Sequence, residues 1–128
     1  MLIRSIIILF LSFSPLLSFT NVNDNILKSQ LEKLILPDGF KIDLYASDVE
    51  NARSMAISPS GTIFVGNRRS DNVFALKDTD GDNVVDKKYL ITDKLKNMPN
   101  GVAYHKGDLY VAEVNKIWVF RDIENNLD

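Results

Sequence analysis

The stretch Arg53-Ser-Met-Ala-Ile-Ser-Pro-Ser-Gly-Thr-Ile-Phe-Val-Gly66 indicates the fold, because it returns in altered form as Asn100-Gly-Val-Ala-Tyr-His-Lys-Gly-Asp-Leu-Tyr-Val-Ala112. The second halves of the two stretches align without a gap at an offset of 107 − 61 = 46 residues. A self-similar unit of this length is typical of a repeat architecture. The sequence therefore predicts a fold built from copies of one small unit.

Each unit has the composition of a β-hairpin. Ser58-Pro-Ser-Gly61 has Pro at its second position and Gly at its fourth, which suits a type I turn. Thr62–Val65, after the turn, is β-branched and aromatic, as strands prefer. The sequence predicts four short strands between Ala52 and Thr92, at Met55–Ile57, Thr62–Val65, Val73–Leu76 and Val84–Thr92.

Four runs are continuously apolar rather than alternating, namely Ile63–Val65, Val73–Leu76, Leu109–Ala112 and Ile117–Phe120. Such strands are expected to be buried on both faces. The linkers are too short for crossover helices, so other sheets must cover these strands. A sandwich could do this, but only a β-propeller also explains a four-strand repeat. The predicted class is therefore all-β, a β-propeller.

The chain holds about two predicted blades. The first spans roughly Ala52–Thr92, and the second supplies strands between Val102 and Phe120 but lacks a fourth strand. Because a propeller needs about four to eight blades, we expect the chain to be the N-terminal piece of a longer protein. The alternative is a natural small domain that pairs with copies of itself.

Residues 1–20 have the pattern of a signal peptide, with Arg4 before the apolar run Ile6–Phe13 and small residues near Thr20. About a dozen apolar residues interrupted by Pro15 are short for a membrane span. We therefore predict cleavage near Thr20, no stable membrane anchor afterwards, and a periplasmic or secreted location. Residues 21–36 are predicted to form a polar linker and short helix, and residues 37–128 the truncated propeller.

The composition limits the function. The chain has 128 residues, 15 Lys and Arg against 17 Asp and Glu, and no cysteine. The slight acidity disfavours a nucleic-acid partner, and the lack of cysteine excludes disulfides and thiolate metal sites.

Two details are predicted upstream of the repeat. Leu27, Leu31, Leu34 and Ile35 share one helical face, so a helix should begin near Asp24 and end at Pro37. Phe40–Tyr45 alternates apolar and polar residues, as a half-exposed strand does. In a closed propeller that strand would complete the last blade.

Alternate loops of a blade reach opposite ends of a propeller, which separates two candidate sites. One end is expected to carry Asn67 and the four candidate cofactor-binding residues, Arg53, Arg68, Asn100 and Glu113. Cations there suit an anionic ligand, and Asn or Glu suits a metal or a hydroxyl group. The alternative is that these are merely polar blade ends.

The opposite end is expected to carry His105 and an acidic loop. Asp78, Asp80, Asp82 and Asp86 stand at positions 1, 3, 5 and 9 of a Ca²⁺-binding pattern. The pattern departs from an EF-hand loop in two ways. Gly81 is at position 4, where an EF-hand has its Gly at position 6, and Tyr89 stands where an EF-hand has a bidentate Glu. The alternative is a solvated Asp-Gly turn. Any ion here would be structural, and we assign no catalytic residue, His105 included.

Five segments, in this order, resemble the N-terminal part of the sorbosone dehydrogenase family: Leu36-Pro-Asp-Gly-Phe-Lys-Ile-Asp-Leu-Tyr-Ala46, Asn51-Ala-Arg-Ser-Met-Ala56, Asp78-Thr-Asp-Gly-Asp82, Asn97-Met-Pro-Asn-Gly-Val-Ala103 and Leu109-Tyr-Val-Ala-Glu113. That family is similar to the soluble quinoprotein glucose and aldose-sugar dehydrogenases. The resemblance implies a six-bladed periplasmic propeller that binds pyrroloquinoline quinone (PQQ) and Ca²⁺. It also implies oxidation of a sugar or sugar aldehyde by hydride transfer to PQQ, with a His base and an external electron acceptor.

The His-Gly-containing segment that carries the base in such relatives has no counterpart here, and His105 does not match it. We therefore expect the chain alone to lack dehydrogenase activity. Pro99-Asn-Gly101 also resembles the motif of gluconolactonase-type propellers, where the Asn is a metal ligand. The alternative functions are thus a metal-dependent hydrolase with Asn100 as ligand, or a secreted binding scaffold.

Overall fold

A computed structural model describes residues 22–127, so the predicted signal peptide lies outside the described residues. The helix α1 (Val22–Leu31) comes first. Seven strands follow: β1 (Ala52–Ile57), β2 (Ile63–Asn67), β3 (Val73–Lys77), β4 (Lys87–Thr92), β5 (Gly101–His105), β6 (Asp108–Ala112) and β7 (Ile117–Phe120). A short 3-10 helix (Ile123–Asn125) comes last. The described chain is thus mostly β.

The strands form two antiparallel sheets, each in sequence order. Sheet one is β1-β2-β3-β4, and sheet two is β5-β6-β7. The two units share a register, since Ala56 pairs with Phe64 in sheet one and Ala103 pairs with Tyr110 in sheet two. These are equivalent positions of the sequence repeat, so the repeat is a structural one.

Local turn chemistry closes the hairpin of each unit. In the β1–β2 turn, the Gly61 N–H donates to the Ser58 carbonyl at 3.0 Å, and Gly61 has φ 89°. This is a type I turn followed by a left-handed residue, the usual three-residue hairpin loop. In the β5–β6 turn, Lys106 and Gly107 both have positive φ, as a two-residue type I′ hairpin turn requires. We call this end of the sheets the hairpin end.

The core lies between the two sheets. Phe64 of β2 is fully buried and stacks on Tyr104 of β5, with ring centroids 5.8 Å apart. Leu95 from the β4–β5 connection and Ile123 from the 3-10 helix complete the core. The buried cluster is Phe64, Val73, Ala75, Leu95, Leu109, Val111 and Ile123. Burial of one face of each sheet against the other is what holds the two units together.

Glu124 ties the two sheets together at the hairpin end. Its carboxylate accepts hydrogen bonds from the hydroxyls of Ser58, at 2.7 Å, and Ser60, both in the β1–β2 turn. Burial alone would raise the pKa of Glu124, but the hydrogen bonds from Ser60, Ser58 and Thr62 outweigh it and lower the pKa. The carboxylate therefore stays charged at neutral pH and keeps both bonds.

The structure corrects two predictions upstream of the repeat. The helix ends at Leu31 rather than at Pro37, because Lys33 and Leu34 close a tighter final turn onto Gln30 and Leu31. Ile35, predicted on its apolar face, is 99% exposed. The predicted strand at Phe40–Tyr45 is irregular backbone, because no strand among residues 22–127 pairs with it.

Two strand predictions were also wrong in detail. β4 begins at Lys87 rather than Val84, because the Asp82 carboxylate accepts the Val84 N–H and keeps that residue in the loop. The strand Ile117–Phe120 was predicted to be buried on both faces, but Ile117 is 72% exposed. It is an edge strand of sheet two, and its outer edge and outer face are uncovered among the described residues.

Candidate ligand pocket

A pocket of about 360 Å³ lies at the end of the sheets opposite the hairpin turns, which we call the pocket end. Its lining combines the residue that follows β2, the start of β5 with residues before it, and the end of β6 with residues after it. The lining residues are Arg68, Met98, Asn100, Gly101, Ala112, Glu113 and Val114. Three of the four residues predicted to bind a cofactor are thus brought together. The fourth, Arg53, is next to Ala52, which pairs with Asn67 at this same end, but Arg53 is not in the lining.

Asn67 positions the loop that carries Arg68. This side chain is 2% exposed, and its Oδ1 accepts the backbone N–H groups of Arg69 at 2.9 Å and Ser70 at 2.8 Å. Its Nδ2 donates to the Glu50 carbonyl at 2.9 Å. A buried amide that satisfies three backbone groups fixes the direction in which the chain leaves β2.

Asn100 is held by a tight local turn in front of β5. Its N–H donates to the Met98 carbonyl at 2.7 Å, and Met98 itself has φ 53°, a left-handed conformation that non-glycine residues seldom adopt. The Asn100 Oδ1 is buried and has no hydrogen-bond partner among residues 22–127. A buried acceptor without a partner is costly, so this atom is suited to a ligand hydroxyl, an N–H group or a cation.

Glu113 contributes a fixed negative charge. Its carboxylate accepts the indole N–H of Trp118 at 2.6 Å and the backbone N–H of Asn97 at 2.8 Å. These two bonds, the Trp118 bond first, lower the pKa of Glu113 below its usual range. The carboxylate is therefore ionised at neutral pH and oriented by both sheet two and the β4–β5 connection.

We expect Trp118→Phe to raise the pKa of Glu113 toward its ordinary value, because the substitution keeps an aromatic ring but removes the N–H donor. Because the pKa of Glu113 is lower in the folded than in the unfolded chain, its ionised carboxylate stabilises the fold at pH values above the unfolded-state pKa. This stabilisation is lost as the pH falls through the folded-state pKa. Carbon-13 NMR titration of the carboxyl group measures the shift. Tyr104→Phe, whose hydroxyl faces Glu124 instead, serves as the control. An unchanged Glu113 pKa in Trp118→Phe would contradict the hydrogen bond.

Trp118 was not anticipated from the sequence as part of this site, although it is the single Trp of the chain. Its relation to Glu113 arises because the two residues flank the β6–β7 turn, where Ala112 pairs with Ile117. Met98 and Val114 were also missed. Neither residue type indicates ligand chemistry, so only the folded geometry identifies them as lining residues.

The acidic loop lies at the hairpin end, away from the pocket, as predicted. Asp78, Asp80 and Asp86 each offer a carboxylate oxygen, and these oxygens lie within 4.8 Å of one another. Asp82 lies outside this group, and its carboxylate accepts the Val84 N–H instead. Asp78 likewise accepts the Gly81 N–H at 2.7 Å and the Asn83 N–H at 2.9 Å. Because such bonds shape Asp-rich turns, the cluster is no evidence of an ion, and Ca²⁺ stays a prediction.

Two further features bear on function. His105 is exposed and pairs with Asp108 beside the β5–β6 turn, at the end opposite the pocket. Within residues 22–127, no helix has the length and apolar character needed to cross a membrane.

Comparison with known proteins gives a family but no activity. The chain is 27% identical over 96 residues to a Borreliella burgdorferi protein described as "Uncharacterized protein". This alignment covers 74% of the chain and 23% of that protein, so the chain spans about a quarter of the relative's length. No solved structure matches the chain significantly. The profile of the family described as "Domain of unknown function (DUF7133)" matches residues 27–127, and the chain therefore belongs to that family.

Proposed function

We propose that the two sheets are neighbouring blades of a β-propeller of about six blades, and that the domain is part of a periplasmic quinoprotein. In this proposal the whole protein oxidises a sugar or sugar aldehyde by hydride transfer to PQQ and passes electrons to an acceptor. The packing of the sheets supports the blade arrangement, since they stack face to face through Phe64 and Tyr104. Blades of a propeller pack in this way around a central channel.

The observation that carries the proposal is the convergence of Arg68, Asn100 and Glu113 on one pocket. The volume of about 360 Å³ is at the lower end of the range for small-molecule sites. PQQ is a planar tricarboxylate, and the Arg68 guanidinium suits a carboxylate in a bidentate geometry. The unpartnered Asn100 Oδ1 suits a hydroxyl or N–H group. Arg68 and Asn100 therefore suit an anionic, oxygen-rich cofactor.

Each residue has a distinct proposed role. Bound PQQ would supply the hydride acceptor. Arg68 would hold one carboxylate of the cofactor. Asn100 would orient a hydroxyl or N–H group of the cofactor, because its Oδ1 would accept a hydrogen bond from that group. Glu113, ionised and anchored by Trp118, would repel a nearby carboxylate and so restrict the orientations in which the cofactor binds. If Ca²⁺ binds the acidic loop, it would stabilise that turn rather than contact PQQ, because the loop is at the other end.

A second function is favoured by the same unpartnered acceptor. Asn100 Oδ1 and the Glu113 carboxylate are hard oxygen donors, of the kind that divalent cations prefer. A metal held there could serve a gluconolactonase-type hydrolase. A propeller without catalytic activity, acting as a binding scaffold, would also use this pocket.

The test is titration of the chain with PQQ, with and without Ca²⁺, followed by PQQ absorbance and calorimetry. We expect saturable binding, and we expect Arg68→Ala to weaken it by roughly 10–150-fold, since a charge-assisted bond contributes about 1.5–3 kcal/mol and about 1.4 kcal/mol is a factor of ten. Arg69→Ala is the matched control, because this neighbouring Arg is exposed and outside the lining. We also expect no sugar-dependent dye reduction, because the chain's single histidine, His105, lies at the opposite end.

Absence of saturable PQQ binding, or equal losses in Arg68→Ala and Arg69→Ala, would refute the cofactor proposal. The hydrolase would be favoured instead if the chain does not bind PQQ but binds Ca²⁺ or Zn²⁺, and if Asn100→Ala abolishes this metal binding.

A further inference from the structure

Arg53, predicted to bind the cofactor, lies beside the pocket rather than in its lining. It belongs to β1, the edge strand of sheet one that contacts β5, the first strand of sheet two. The Asn51 carbonyl accepts the Arg68 N–H at 3.5 Å, so the backbone just before Arg53 lies against the backbone of a pocket residue. In the proposed propeller the first strands line the central channel. Arg53 is therefore placed where a substrate would meet a cofactor held in the pocket.

The backbone around Arg53 departs from the regular pattern of the repeat. Between Ala52 and Met55, β1 has one residue more than the facing part of β2, a β-bulge that contains Arg53. The equivalent start of β5 has an unbroken register. Asn51, just before the bulge, has φ 56°, a left-handed conformation that non-glycine residues seldom adopt. Bulges are over-represented next to active sites, where they redirect a side chain, so the geometry of β1 agrees with a binding role for Arg53.

The charge of Arg53 has no partner among residues 22–127. The side chain is exposed and belongs to none of the ion pairs found there. Glu50, the nearest acidic residue in the sequence, forms no ion pair with it. Arg121, at the hairpin end, is by contrast paired with Asp108. A guanidinium presents its N–H donors in a planar fork that fits the oxygens of a carboxylate or phosphate, so Arg53 is available to an anionic group.

The charges around the pocket are divided between the two sheets. Arg53 and Arg68 come from sheet one, whereas the ionised Glu113 comes from sheet two. An anionic group near the pocket is therefore attracted toward sheet one and repelled from sheet two. A substrate with one anionic group would bind in a single orientation, with that group at Arg53.

We propose that Arg53 binds an anionic group of the substrate, so that the substrate is an acidic sugar, with a carboxylate or phosphate, rather than a neutral one. This inference rests on the proposed function and deepens it by naming the class of substrate. Arg53 determines specificity, whereas Arg68 holds the cofactor. A carboxylate and a phosphate share the chemistry that a guanidinium recognises, and the experiment distinguishes them.

The test is an NMR titration of the chain with gluconate, glucose 6-phosphate and neutral glucose, each with and without PQQ. At least one acidic sugar should shift the Arg53 Nε–H signal saturably, whereas glucose should not. Arg53→Gln should weaken this binding about tenfold, the lower end for a charge-assisted hydrogen bond because Arg53 is exposed. Arg53→Lys keeps the charge and should lose less. Arg69→Gln removes another exposed guanidinium outside the lining and should bind normally as the matched control.

Tighter binding of gluconate would identify the anionic group as a carboxylate, and tighter binding of glucose 6-phosphate would identify it as a phosphate. The inference is overturned if glucose binds as tightly as the acidic sugars, if no probe binds saturably, or if Arg53→Gln and Arg69→Gln weaken binding equally. Displacement of the acidic sugar by PQQ would also overturn it, since Arg53 would then belong to the cofactor site. A chain that binds an acidic sugar through Arg53 but does not bind PQQ would refute the cofactor proposal alone.

Discussion

Gly66→Ala is expected to destabilise the fold by about 3 kcal/mol, at the upper end for overpacking of a tight contact. A Cβ on Gly66 would lie 2.5 Å from the Asn100 carbonyl oxygen and 2.7 Å from that of Pro99. Both are backbone atoms, so relief requires the β4–β5 connection to move away from β2. That movement would also stretch the 2.9 Å hydrogen bond from the Asn67 N–H to the Pro99 carbonyl.

Thermal unfolding measures the effect of Gly66→Ala, and we expect a melting temperature lower by roughly 12–24 °C, since about 4–8 °C corresponds to 1 kcal/mol in a domain of this size. Gly101→Ala is the matched control, because its added Cβ would meet only the Ala112 Cβ, at 3.3 Å. Equal stability losses in the two variants would contradict the close approach at Gly66. PQQ affinity should also fall in Gly66→Ala, since Asn100 borders both the contact and the pocket.

Asn67→Ala is expected to cost about 2–4 kcal/mol, because buried groups that lose their partners cost about 1–3 kcal/mol each. The substitution leaves the N–H groups of Arg69 and Ser70 and the Glu50 carbonyl without their amide partner. The loop that carries Arg68 should then lose its order. Chemical denaturation measures the stability, and amide hydrogen exchange at Arg69 and Ser70 measures the order of the loop.

Asn67→Asp distinguishes the acceptor role of the Asn67 Oδ1 from the donor role of its Nδ2. The carboxylate retains an acceptor for the Arg69 and Ser70 N–H groups but faces the Glu50 carbonyl and the Asn72 Oδ1, to which the amide donates. We expect a stability loss with exchange protection of the loop retained. Rapid exchange at Arg69 and Ser70 in Asn67→Asp, as in the Ala variant, would contradict the role assigned to Oδ1.

Much of the fold was predictable because it depends on local chemistry. The four strands between Ala52 and Thr92 and the turn at Ser58–Gly61 follow from β-branched runs and turn residues, which act over a few positions. The repeat also placed Arg68, Asn100 and Glu113 at one end, since chain direction alone sorts the loops of consecutive hairpins. Strand burial was less predictable, because β7 has the composition of a covered strand but lies at an edge.

The repeat, the mostly β class, the two hairpins and the separation of the acidic loop from the pocket end all follow from the sequence. Which side chains meet depends on the tertiary structure. It pairs Glu113 with Trp118, leaves Asn100 Oδ1 without a partner among residues 22–127, and keeps Phe40–Tyr45 out of any sheet. Turns and strand preferences are local, whereas a buried hydrogen bond or a strand pairing needs a partner elsewhere in the chain, and only packing brings that partner into reach.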